Sequence, residues 1–81
     1  MNESTIFEHV NELAAEEERL YASAAGGRGL DPDEIARLDA IKVELDQCYD
    51  LLHQREARRG AGLDPDDAAV RPAAIVEHYQ Q

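Results

Sequence analysis

The sequence has a single cysteine, Cys48, which excludes an internal disulfide. One lone thiol fits a reducing cytosol. No basic stretch and no apolar run follow Met1-Asn2-Glu3-Ser4, so neither a signal peptide nor a membrane span is expected. Bases are scarce, with 8 Lys and Arg against 18 Asp and Glu and a formal net charge of -10. That balance argues against general binding to nucleic acid, whose affinity rests on Lys and Arg at phosphates. It also repels anionic membranes and suits a cytoplasmic protein. Eighty-one residues allow one domain, residues 1–81, with a modest core that usually needs a staple or a partner.

Catalytic and metal motifs are missing too. Glu12, Glu16, Glu17 and Glu18 resemble the carboxylate supply of a di-metal bundle, but such sites need Glu-x-x-His pairs on facing helices and the chain has none. Cys48, His9 and His53 are too few and too widely spaced for zinc. Cys48 has no adjacent base and reads as a small buried apolar residue. Gly26-Gly27-Arg28-Gly29 lacks the strand and lysine of a phosphate loop. The expectation is no catalytic residue, no metal, no cofactor and no enzyme.

What the chain does have is helical signal. Asp31-Pro32-Asp33-Glu34 combines an N-cap, a first-turn proline and a capping box. Gly60 can close that helix in a left-handed conformation. The span 32–59 gives a rod of about 42 Å at ~1.5 Å per residue. A first helix is expected over 5–25, opened by Ser4 and Thr5, with Thr5 and Glu8 as its capping box. Its seam runs Ile6, Val10, Leu13, Glu17, Leu20, Ala24, in heptad steps with one acid inside. Phe7, Ala14 and Tyr21 form a second row on one flank. Gly26 to Gly29 break the helix.

The second helix carries Ile35, Leu38, Ile41, Leu45, Cys48 and Leu52, with Tyr49 and Leu51 on opposite flanks. A loop over 26–31 is short enough to force an antiparallel hairpin. In that register Leu20 meets Leu38, Leu13 meets Leu45, Val10 meets Cys48, and Ile6 meets Leu52. Glu17 then faces Ile41 and Lys42, and Lys42 is its expected partner, because an unpaired buried carboxylate is costly. The tail, 60–81, repeats the start signal as Leu63-Asp64-Pro65-Asp66-Asp67. A short helix through Ala68, Ala69 and Val70 is expected, and a restart at Pro72. Val70, Ile75, Val76 and Tyr79 are the positions that could fold back on the rod.

Both helices show more apolar surface than one neighbour can cover. Two hairpins pairing into a four-helix bundle would bury both flanks, through Phe7, Tyr21, Tyr49 and Leu51. A homodimer is therefore expected, with the tail as the alternative cover. The other surface feature is basic. Arg55, Arg58 and Arg59 end the long helix, and with Arg71 they could bind an anion or an acidic protein partner. Helix-dipole complementation, or a clamp on the acidic 64–67 loop, explains the same arginines without a partner.

From Glu44-Leu45-Asp46-Gln47-Cys48-Tyr49-Asp50-Leu51-Leu52 the chain resembles a family of short actinobacterial proteins catalogued only as a domain of unknown function. Arg55, Arg58-Arg59, Asp64-Pro65-Asp66, Val70-Arg71-Pro72, Val76-Glu77 and Tyr79 continue the pattern, and Glu16-Glu17 before Leu20 fits it. Glu18 departs from it, standing where many members carry a histidine. The resemblance implies an actinobacterial, cytoplasmic protein and no reaction, cofactor or catalytic residue. The residues themselves point to an all-α hairpin with a short helical tail. Its expected role is a self-associating interaction or scaffold module. The alternative is a regulator that meets nucleic acid or the transcription machinery through its arginines.

Overall fold

The computed structural model describes residues 2–27 and 29–79, with side chains through Glu77. Three helices follow in order: α1 over Glu3–Ala24, α2 over Pro32–Gly60 and α3 over Ala73–Tyr79, with a 3-10 turn at Pro65–Asp67 between the last two. Among the described residues there is no strand. The architecture is the expected antiparallel hairpin with a short helical tail.

The starts and stops are chemical. Asp31 caps α2 by accepting from the Glu34 amide at 2.8 Å, and Glu34 accepts from the Asp31 amide at 3.1 Å. That is the expected capping box, with Pro32 inside it. Helix α1 starts two residues before the expected point. Asn2, extended at φ -87°, caps it by accepting from the Thr5 amide at 2.9 Å. The earlier start adds backbone bonds and sets Glu3 at the positive end of the helix dipole. At the far end of α2, Gly60 stays helical, and Gly62 makes the left-handed turn at φ 75°. The Gly62 amide bonds to the Arg59 carbonyl at 3.1 Å and the Leu63 amide to the Arg58 carbonyl at 2.8 Å. This pair of bonds is a Schellman close. A helical glycine costs only about 1 kcal/mol relative to alanine, so the helix runs through one glycine to reach the other.

The core lies between the helices. Ile6, Val10 and Leu13 of α1 pack with Ile41, Cys48 and Leu51 of α2, and Leu20, Leu45, Leu52 and Ala68 pack against them half-buried. Ile6 and Ile41 are fully buried. Glu3 of α1 pairs with Arg55 of α2, and Glu16 with Arg37, so the antiparallel register is the expected one to within about a turn.

Two expectations fail here. Leu51, expected at a dimer surface, is buried at 4% exposure within the one chain. The tail and α1 between them cover that flank. The short helix expected through Ala68, Ala69 and Val70 is instead extended chain after the single 3-10 turn. Carbonyls that such a helix would use accept from α2 side chains. Arg58 takes the Asp64 carbonyl at 2.6 Å, Arg55 the Pro65 carbonyl at 3.1 Å, and Gln54 the Ala69 carbonyl at 2.9 Å. Pro72 also biases residue 71 away from helix. Of the positions expected to fold back, Val76 does so, 2% exposed, while Val70 and Ile75 stay exposed. The side chain of Tyr79 lies outside the described residues.

The 3-10 turn and α3 pack on α2 and not on α1. Gln47, Asp50 and Gln54, which hold the tail, lie roughly opposite the Ile41–Cys48 face at about 100° per residue. Helix α2 is thus the middle layer. The molecule is elongated and flattened, a slab of 52 × 26 × 15 Å. Its surface, 5445 Å², exceeds the roughly 4,850 Å² typical of a compact monomer of this mass.

Candidate functional site

The arginine end is not an open basic cluster. Arg55 is 6% exposed; it donates to Asp66 at 2.9 Å and lies 3.6 Å from Glu3. Arg58 reaches Asp67 at 3.4 Å as well as the Asp64 carbonyl. Arg59 turns the other way and pairs with Glu3. Helix α1 begins at Glu3, ahead of the expected start at residue 5, and that early start brings Glu3 to them. Arg59 holds Glu3 below the usual carboxylate range, first by hydrogen bonding and then by charge.

Arg71 stands apart from the other three. It grips Asp50 through both Nε and a terminal nitrogen, the Nε bond at 2.9 Å. Gln54 adds a bond to Asp50 at 2.8 Å, and Gln47 donates to the Arg71 carbonyl at 3.1 Å. Hydrogen bonding to Arg71 holds Asp50 below its ordinary range. All four arginines read from the sequence as anion or partner contacts are therefore engaged by carboxylates of the same chain. Gln47 and Asp50 stand in the stretch that carries the family resemblance, but no pattern in the sequence points to them, or to Gln54, as the groups that dock the tail.

One contact in the tail runs against docking. Glu77 of α3 faces Asp46 of α2, and one of its oxygens is buried without a hydrogen-bond partner. Hydrogen bonding with Asp46, then burial, pushes Glu77 above the usual carboxylate range.

The expected Glu17–Lys42 pair is not formed. Glu17 is half-buried and Lys42 exposed, and no ion pair joins them. The neighbouring acid takes the role with a different base. Arg37 donates to Glu16 through Nε at 2.6 Å and through a terminal nitrogen at 2.7 Å. A guanidinium makes two parallel bonds to a carboxylate, and a lysine cannot.

Cys48 is buried as expected, and burial pushes its thiol up. A cavity of about 210 Å³ beside it is lined by His9, Glu44, Gln47, Cys48, Leu51 and Val70. His53 is exposed and is not part of that lining. Among the described residues no three of His, Cys, Asp and Glu come together as a metal site.

The opposite side of the slab is open. Phe7, Ala14 and Tyr21 sit on one side of the α1 seam, and Ile35, Lys42 and Tyr49 on the matching side of α2, at about 100° per residue. Phe7, Tyr21, Ile35 and Tyr49 are each between 46% and 53% exposed. The antiparallel register brings Phe7 near the level of Tyr49 and Tyr21 near the level of Ile35. Three of the four expected interface residues, Phe7, Tyr21 and Tyr49, are thus brought together on one face, and Ile35 joins them. No helix among the described residues is long and apolar enough to cross a membrane.

A family described as "Protein of unknown function (DUF2630)" matches residues 2–81. An uncharacterized protein of Mycobacterium tuberculosis is 46% identical over 77 residues, which cover 95% of this chain and 88% of the relative. An uncharacterized protein of Mycobacterium bovis matches with the same identity and coverage. No solved structure matches the chain.

Proposed function

The chain belongs to this family of proteins of unknown function, and from its geometry we propose that it is a cytoplasmic, self-associating interaction module and not an enzyme. The observation that carries the reading is the open face. Four large apolar side chains, each about half exposed, lie on one side of a flattened molecule. Two stacked slabs form a four-helix bundle and cover that face once. Taking α1 as ~33 Å long and two helices as ~20 Å wide, the face is on the order of 700 Å² per copy. That is close to the ~800 Å² per partner of ordinary specific interfaces. The occupied arginines support the same choice, because a phosphate would have to displace a carboxylate already in place at each of them.

Capture between copies tests it. Tagged wild-type chain is expected to retain untagged wild-type chain and to lose it when both carry Phe7→Ser and Tyr49→Ser. Equal capture by the double variant would rule the open face out as the contact.

A further inference from the structure

Resting on that self-association, we propose how the second copy sits: the two-fold axis runs parallel to the helices, and α1 of one copy lies on α2 of the other. Two stackings cover the open face. With the axis across the helices, α1 lies on the partner's α1, and Phe7 meets the partner's Tyr21. With the axis along the helices, α1 lies on the partner's α2, and Phe7 meets the partner's Tyr49. Both are antiparallel bundles, and both bury the same apolar groups.

The charges separate them. Lys42 is the only lysine of the chain, exposed on the open face midway between its two apolar clusters. With the axis across the helices, centring those clusters puts Lys42 on the partner's Lys42. With the axis along the helices, Lys42 falls at the level of the partner's Ala14 and one turn from the partner's Glu18. Helical side chains lean toward the N-terminus of their own helix. Lys42 therefore leans toward the level of residue 18, and Glu18, exposed on α1, leans toward the level of residue 42. Each finds the other across the interface, twice per dimer by symmetry. In the first stacking the same lean would offer Lys42 the partner's Asp46, but Asp46 is half-buried and already faces Glu77 of its own α3. The opposed lysines therefore disfavour that stacking, and the Glu18 pair favours the second. Ala14, small and exposed, leaves room for the lysine stem to cross.

A charge-swap cycle followed by sedimentation equilibrium tests the arrangement. Lys42→Glu alone is expected to weaken the dimer about tenfold, since two exposed pairs are lost. Glu18→Lys alone is expected to weaken it by a similar factor. That sign is decisive, because the substitution reduces the net negative charge of each chain, and overall repulsion alone would tighten the dimer. The double variant is expected to regain wild-type association. Dimers that tighten with Glu18→Lys, or a double variant that is not rescued, would overturn the arrangement and leave self-association standing. A readily oxidised Ala14→Cys dimer in a Cys48→Ala background would do the same, since it places α1 on the partner's α1. A wild-type chain that stays monomeric would overturn both.

Discussion

The two faces of the hairpin are built from similar residues and finished differently. On one, Leu51 is buried, Arg71 grips Asp50 with two bonds, and Arg55 and Arg58 hold the 64–67 turn by its carbonyls and carboxylates. On the other, Phe7, Tyr21, Ile35 and Tyr49 lie half exposed with no segment of the described chain across them. Tyr49 and Leu51 are two positions apart on α2, and about 200° of helix separates them. The tail therefore meets one and not the other. Residues 63–77 cover one side of the hairpin and leave the second side bare among the described residues.

Substitutions at those two positions should differ most in their effects. Leu51→Ala empties a buried site, and its expected cost is about 2–4 kcal/mol of folding stability in urea titration. Tyr49→Ala removes a half-exposed ring, and its expected cost to folding is within ~0.5 kcal/mol under dilute conditions, with association lost. Equal folding costs would mean that the two faces are not different in kind.

Next in size is the latch. Asp50→Asn removes the charge that Arg71 holds, with an expected loss of about 1–2 kcal/mol in the docking of residues 63–77. Amide exchange should quicken there and stay slow in Ile6 to Leu13. The pH dependence has a definite sign. Asp50 has a lowered pKa in the folded chain, so its contribution is complete above the ordinary carboxylate value of 3.8 and is lost as pH falls through the lowered one. The tail should then loosen in acid before the hairpin does.

Salt should sharpen the contrast less strongly but with an opposite effect on the two faces. Each chain carries a formal charge of -10, so two copies repel, and added salt screens that repulsion. Association should tighten several-fold between 50 and 500 mM sodium chloride while the exposed arginine pairs at the tail weaken. Association that falls steadily with salt would point to a polar interface in place of the apolar face.

The smallest expected effect is at Glu77. Its pKa is raised beside Asp46, so the contact contributes stability below the ordinary value of 4.5 and loses it as pH rises through the raised one. At neutral pH the pair opposes docking. Glu77→Gln should raise the melting temperature slightly at pH 7 and leave it unchanged near pH 4. Destabilisation at pH 7 would show that the pair holds the tail.

What was legible in the sequence follows the same division. The caps at Asp31 and Glu34, the heptad seam of α1 and the apolar steps of α2 are periodic or local signals, and both long helices and their antiparallel register could be read from them. The clamp of Arg55 and Arg58 on the acidic 64–67 turn was legible from the charges, but the non-helical path of residues 63–72 was not. It is fixed by side chains of Gln47, Gln54, Arg55 and Arg58 reaching backbone carbonyls, and such bonds leave no periodic trace. Leu51 was placed at the surface for that reason. Glu17 was paired with Lys42 because it sits inside the seam, yet the fork of Arg37 selects Glu16, one residue away on the rim.

Sedimentation equilibrium of the wild-type chain between 1 and 100 µM decides whether the open face pairs with a second copy. Self-association predicts a mass that rises with concentration from the 9.0 kDa of one chain toward twice that value and stops there. A mass that stays at 9.0 kDa across the whole range would contradict it, and the open aromatic face would then have no second copy to cover it.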